Sequence, residues 1–364
     1  MKKPKRLKKP SLPKAIHRPA RLWRKKSVEE RVSDALSNVP RITNETLGDH
    51  REEVLSSARK YIYPLKQSKH HVVRVSISIL VCVIILFFAI CGLLLYKFQN
   101  YSTFIYDVTQ VAPFPVAKVG NNWVSYEFYL FELKHDIHYY QTQQHVDFSS
   151  KDGQAQLTHL KQEAMSTVIQ DTEVNQLAAQ NSVKITNQAV NSQITLVRSE
   201  NRLGNSNDVF NSVLSEVYGW NENDFKRELK QELLQQAVVA KLDIATTQRA
   251  EFALQQIQKG ANFATVAAQD SDDVSTRANG GQYPSLITIN DSNISPIITA
   301  ELFKLKTGEV SPLVNTGYTL EILRVISTSP SGITAAHIQF DLQSINTYLK
   351  PLQAKETIHQ YIKF

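Results

Sequence analysis

Residues 75–96 form an unbroken run of twenty-two residues without a charged side chain, set between a basic N-terminal arm and a longer, slightly acidic remainder. As a helix rising about 1.5 Å per residue, the run reaches roughly 33 Å, enough to cross a hydrocarbon core of about 30 Å. The expectation is one transmembrane helix dividing the chain between two compartments. Residues 1–74 carry 20 Lys and Arg against 7 Asp and Glu, whereas residues 75–364 carry 21 against 27. Positive charge accumulates on the cytoplasmic flank of a span, so the arm is expected in the cytoplasm and everything beyond Tyr96 outside it, in a single-pass cell-membrane topology. A cleavable signal peptide fits poorly, because some seventy residues precede the run, it is long for such a segment, and no small-x-small pattern follows it.

Both cysteines, Cys82 and Cys91, lie inside the run. Nine residues apart on one helix, they are separated by about 13 Å and cannot bridge each other. The exported part therefore has no disulfide to rely on and must stand on ordinary burial, which its length permits.

Residues 1–26 are crowded with Lys, Arg and Pro, a composition that cannot bury a core, so they are expected to be disordered and drawn to anionic lipid headgroups. Counterion release would also allow RNA contact. No aromatic interleaving or folded nucleic-acid motif supports that, and nucleic acid is not an expected partner. Two short helices are predicted in the arm, one opened by the capping-box spacing Ser27-Val28-Glu29-Glu30 and one over residues 52–62 that Pro64 ends.

The ten histidines have no metal-ligand spacing, and there is no Gly-rich phosphate loop or Gly-x-Ser-x-Gly elbow. Asp270, Asp272, Asp273 and Asp291 do not repeat the oxygen spacing of an EF-hand. No cofactor and no metal are expected.

Beyond the span, residues 97–115 read as a linker ending in Pro113 and Pro115. A strand, a Gly120-Asn121 turn and a second strand follow over residues 116–125. Helical periodicity then dominates: Leu157, Leu160, Ala164 and Val168 share a face, residues 183–197 are amphipathic, and Phe225, Leu229, Leu233, Ala237 and Ala240 recur every three or four positions. The strand pair, the segment 164–186 and the stretch from Gly219-Trp220-Asn221 to Leu234 together resemble the helical chaperone domain of SurA/PrsA-type foldases.

The next stretch resembles the parvulin type of peptidyl-prolyl isomerase. Residues 253–267 look like its helix, Gly stop and second helix; Asp270-Ser271-Asp272-Asp273 with Asn279-Gly280-Gly281 look like its active-site loop. Leu302-Phe303 through Gly308-Glu309-Val310 to Val314, then Gly317-Tyr318 and the strand 320–325, are the most specific part. The resemblance implies a small antiparallel sheet with helices, a proline pocket, and polar groups from two histidines and a loop Asp or Cys. Carried over by position, Asp273 is the loop acid, Thr316 a hydroxyl near the site, and Ile294, Ile298 and Phe303 are the substrate-binding apolar residues.

Two departures stand out. The strand after Gly317-Tyr318 brings Thr319 or Leu320 where a histidine belongs, and Gln282-Tyr283-Pro284 follows the Gly-Gly. There is also no room for an opening strand between Leu242 and Thr247, while Ala335-Ala336-His337-Ile338 matches that strand's motif near the other end. Either the missing strand is supplied from the C-terminal side in a circularly permuted hairpin, which makes His337 a catalytic residue, or residues 335–340 are an ordinary strand and His337 a surface polar group.

The expected organisation is thus a basic arm (1–74), a span (75–96), a linker (97–115), a mostly α chaperone domain (116–243), an α+β parvulin-like domain (244–340) and a helical tail (341–364). The expected function is a membrane-anchored extracytoplasmic folding factor, chaperone and isomerase, whose partners are unfolded or proline-containing exported polypeptides. The alternative is an adaptor whose parvulin-like domain only binds peptides.

Overall fold

The computed structural model describes residues 27–37, 43–62, 65–200 and 206–364. The basic stretch 1–26, expected to be disordered, and Pro64, expected to stop a helix, lie outside the described residues. The chain divides into two compact units, Met1–Ile84 and Ile85–Phe364.

In the first unit α1 spans Val28–Ser37 and α2 spans Asn44–Ile62. Ser27 Oγ accepts from Glu30 N at 3.4 Å, one half of the anticipated capping box. The second helix begins eight residues before its expected start. A third helix, α3, runs over Leu65–Tyr96. Its part His71–Tyr96 is long and apolar enough to cross a membrane, with a mean hydropathy of 3.2 in its most apolar window.

The second unit begins inside α3. Cys91 and Leu95 are 1% and 0% exposed, so the last turns of the apolar run pack into the folded part. Tyr126 Oη donates to Leu95 O at 2.8 Å and Tyr96 Oη to Pro115 O at 2.7 Å.

The expected linker over residues 97–115 is corrected by a helix, α4 (Thr103–Val111), which buries Ile105 and Thr109 four residues apart on one face. The two nearby prolines pointed to a loop; that i, i+4 pair is the signal they obscured. A hairpin follows, β1 (Pro115–Val119) with β2 (Asn122–Ser125), and then the helices α5 (Tyr126–Thr142) and α6 (Lys151–Gln180). Ser125 and Ser150 cap the two helices by accepting from Glu127 N and Gly153 N. Tyr126, Leu130, Leu133, Leu157, Leu160 and Val168 form the main core with the hairpin. Full burial of each such side chain contributes about 1.5–3 kcal/mol.

Helices α7 (Asn187–Glu200) and α8 (Asn207–Val213), the latter running into a π-turn at Leu214–Tyr218, carry a smaller core around Phe210 and Leu214. The long α9 (Glu222–Leu242) starts from a full capping box, with Asn221 accepting from Asp224 N and Asp224 accepting from Asn221 N.

Asp243 ends that helix and begins α10 (Ile244–Gln258), accepting from Thr246 N and, across 100 residues, from Gln343 N at 2.8 Å. Helices α11 (Phe263–Asp270) and α12 (Pro296–Leu302) follow, then the strands β3 (Val314–Asn315), β4 (Thr319–Ser329) and β5 (Gly332–Asp341) in an antiparallel sheet of that order. β4 and β5 pair from Thr319–Asp341 to Ser329–Gly332, joined by Pro330-Ser331. On its other edge β5 meets residues 282–287 through Gln282–Ala336 and Ile287–Ile333 bridges.

The tail, expected to be helical over residues 341–364, is a helix followed by a short strand. α13 (Ile345–Gln353) keeps Pro351 inside it, and Ile345 and Leu349 pack on Val174, Leu177, Val238 and Val239. The chain then forms β6 (Ile358–Gln360), which pairs with β1 far back in the sequence. A three-residue strand has no periodicity to read; its partner's open edge decides its conformation.

Helices α5, α6 and α9 bring half-buried carboxylates together: Glu132 and Asp136, Asp171, and Glu228. Burial, then mutual repulsion among Glu228, Asp171 and Asp136, pushes Glu132 up; burial and Asp171 push Glu228 up; burial lifts Asp136 and Asp171 to about 6. Arg227, itself bonded to Glu127 at 2.7 Å, offsets part of this. A carboxyl whose folded pKa is raised contributes stability below its unfolded pKa of about 4 that is lost as pH rises through the folded value. The thermal midpoint of the chain is therefore expected to fall between pH 5 and 8, and Glu132→Gln or Glu228→Gln to flatten that fall in melts across the range. An unchanged slope in both variants would remove the assignment.

Candidate active site

The site is built where β5 passes the loop after α11. Three backbone bonds lock the loop to the strand: Asp272 N donates to Gln339 O, His337 N to Gly281 O, and Tyr283 N to Ala335 O, at 2.8–3.0 Å. Ser271 Oγ, 2% exposed, accepts from Asp273 N and Gln339 N and ties the same two segments.

This clamp puts His337 at the centre. Its Nε2 lies 2.9 Å from Asp273 Oδ2 and 3.0 Å from Thr276 Oγ1, and its Nδ1 lies 2.9 Å from Glu321 Oε2 on the paired strand. The Tyr283 ring stacks on the imidazole, centroids 4.3 Å apart and 20° from parallel. His337 and Glu321 are only 4% and 1% exposed, while Asp273 is half-buried at the mouth.

Burial alone would raise the Asp273 pKa. Hydrogen bonds from Thr276, from the Ser275 hydroxyl and backbone, and from His337 outweigh it and hold the carboxyl well below the usual range. Asp273 thus stays ionised into strong acid. Burial, with Glu321 and Asp273 nearby, pushes the Tyr283 phenol up, so it remains a neutral donor.

The predicted residues divide into two groups. His337 and Asp273 are brought into direct contact. Thr316 is two links away: its hydroxyl lies 2.8 Å from that of Thr319, which donates to Glu321 Oε1 at 2.9 Å. Ile298 and half-buried Ile294 share an apolar cluster with Tyr283, Leu302, Leu323 and Val325. Phe303, predicted with them, caps α12 with its side chain 38% exposed and lies outside that cluster.

Glu321, Thr276 and the stacking of Tyr283 escaped sequence reasoning. A glutamate between Leu320 and Ile322 on a buried strand is the readable signal, because a buried charge needs a partner. Among the described residues no cluster of His, Cys, Asp and Glu is arranged to hold a metal ion. The array can present hydrogen-bond donors and one fixed carboxylate beside an apolar surface.

Comparison with known proteins gives two domain matches. Residues 65–239 match the SurA-like N-terminal domain, and residues 233–327 match the PPIC-type PPIase domain. The second match stops short of β5 and His337. A parvulin-like PPIase of Rickettsia prowazekii (strain Madrid E) is 25% identical over 157 residues, 41% of this chain and 55% of the relative. That of Rickettsia bellii (strain RML369-C) is 27% identical over 128 residues, 33% of this chain and 45% of the relative. The chain spans about half the length of the curated relatives it matches. The foldase protein PrsA from Streptococcus pneumoniae, with 17% identity, 53% of this chain and 75% of that one covered, superposes with a TM-score of 0.19.

Proposed function

Because the chain combines a SurA-like N-terminal domain with a PPIC-type parvulin domain, the build of a SurA/PrsA-type foldase, we propose that it is a membrane-anchored folding factor that isomerises prolyl bonds in exported polypeptides. The observation that carries the catalytic part is the contact of His337 with Asp273, Thr276 and Glu321.

Rotation about a peptide bond must break amide resonance, a barrier of about 18–20 kcal/mol. As conjugation is lost, the nitrogen lone pair localises and can accept a hydrogen bond that the planar amide cannot. A donor that meets only the twisted state lowers the barrier without any covalent step. In the resting array Thr276 donates to Asp273; on this reading its hydroxyl turns to the twisted nitrogen, while Asp273 and Glu321 fix the imidazole and Ile294, Ile298 and Tyr283 offer the ring an apolar wall.

On this reading β5 is the family's opening strand, supplied from the C-terminal side in a permuted order. The reading rests on its pairing with β4 and with residues 282–287. On the same reading residues 116–243 are the client-binding module and residues 244–340 the isomerase, with α4 and the tail packed on the helical part. Helices α7 and α9 flank a cleft of about 360 Å3 lined by Val190, Lys226, Arg227 and Lys230, a place for an extended client. The apolar helix and the charge asymmetry support a topology with residues beyond Tyr96 outside the cytoplasm and the basic arm drawn to anionic lipid.

A second reading has its own support: Thr319 or Leu320 stands where a second histidine is expected, and His337 is almost wholly buried, which suits a binding module without turnover. Proline-limited refolding of a test protein separates the two. The full chain in liposomes is expected to accelerate the slow phase; suppression of aggregation with no acceleration would leave only the binder.

A further inference from the structure

The candidate span His71–Tyr96 has 26 residues, about 39 Å of helix, and its uncharged part 75–96 about 33 Å, so roughly 3–9 Å exceeds what a hydrocarbon core needs. The excess is taken up at its far end, where Cys91 and Leu95 are buried in the folded unit. A span of about twenty residues counted from His71 ends at Ile90, and one counted from Val75 ends at Leu94. Phe88 then lies roughly 3–9 Å inside the hydrocarbon boundary.

The Phe88 ring is 6.2 Å from that of Phe114, a residue of the folded unit at the entrance to β1. Phe114 lines an apolar cleft of about 420 Å3 with Pro113, Pro115, Trp123 and Val124. Trp123, 62% exposed, stacks at 6.2 Å on Tyr361, itself 42% exposed, and Lys118 lies 5.1 Å over the indole. An aromatic row, Phe88 with Phe114 and then Trp123 with Tyr361, the two pairs joined by the cleft that Phe114 and Trp123 both line, thus leads outward from the helix with a cation beside it.

We propose that this row, Phe114–Trp123–Tyr361, is seated in the outer interface of the bilayer, with a phospholipid in the cleft and Lys118 at its phosphate. Indole and phenol rings favour this layer, which solvates an apolar body and a polar tip at once. The contact would hold the folding module at a fixed tilt on the membrane surface. The inference rests on the membrane-anchored reading above.

Quenching of tryptophan emission in the full chain reconstituted into phosphatidylcholine–phosphatidylglycerol liposomes tests it. Lipids brominated near the headgroup end of the acyl chain are expected to quench a blue-shifted component that Trp123→Phe lacks. If the protein resists alkaline carbonate extraction but this component responds to aqueous iodide and not to bromolipid, the inference fails while the anchor stands. If carbonate extracts the protein, the anchor reading fails and takes the inference with it. Shielding from bromolipid by an added unfolded polypeptide would make the cleft a client groove, which also overturns it.

Discussion

Replacing His337 by Gln is expected to lower kcat/KM for a proline-containing peptide by about 10²-fold, the scale found when one placed hydrogen-bonding group is removed from a catalytic site. His337 meets Asp273 and Thr276 through Nε2 and Glu321 through Nδ1, and among the described residues no other side chain is hydrogen-bonded to all three. Alanine is the poorer probe here. It would leave the Glu321 carboxylate, 1% exposed, without its partner, and breaking a buried pair this way costs about 3–5 kcal/mol. Asp273→Asn tests the same array at its half-buried edge, where the fold is less at stake. It is expected to reduce kcat more than KM, because the carboxylate holds the imidazole and does not line the apolar wall. Full activity in both variants would hand the domain to the peptide-binding reading.

Gly281→Ala is expected to destabilise the chain by about 3 kcal/mol or more. Gly281 has φ of 78°, a left-handed backbone that costs an L-residue about 1–2 kcal/mol. A Cβ there would lie 2.0 Å from His337 O and 3.3 Å from the Ala267 Cβ. Backbone on one side and helix on the other leave nothing flexible to yield, and overpacking of this kind adds about 1–3 kcal/mol. Gly260→Ala is the control: its φ of 98° is strained too, but nothing lies within 4 Å of the added carbon. Denaturant unfolding of the two variants should differ by the clash alone. A Gly281→Ala protein as stable as Gly260→Ala would show that the loop and β5 are not clamped as described.

Both results depend on a contact between residues more than fifty positions apart, and here sequence and structure part company. The Gly280-Gly281 pair, the run of aspartates before it and the Ala-x-His-Ile motif were each legible, because turn chemistry and strand periodicity are local properties. Glu321 was not. One acidic residue in an apolar strand carries no periodic signature, and its meaning comes from the histidine opposite. Phe303 shows the same limit in reverse: a large apolar side chain at a helix end suggests a pocket wall, and the structure makes it the C-cap of α12, 38% exposed and outside the cluster of Ile294 and Ile298.

The apolar run with its charge asymmetry, the amphipathic helices and their caps, and the order of helical and sheet segments were determined by the sequence itself, since each depends on spacing within a few turns. Tertiary structure alone decided how much of the apolar helix enters the folded unit, which edge of β1 the tail would close, and that His337 stands between two carboxylates. Those outcomes are set by which surfaces remain open once the rest has packed. A buried ionisable group or a short edge strand gains its stability only from a distant partner, and no local pattern encodes it.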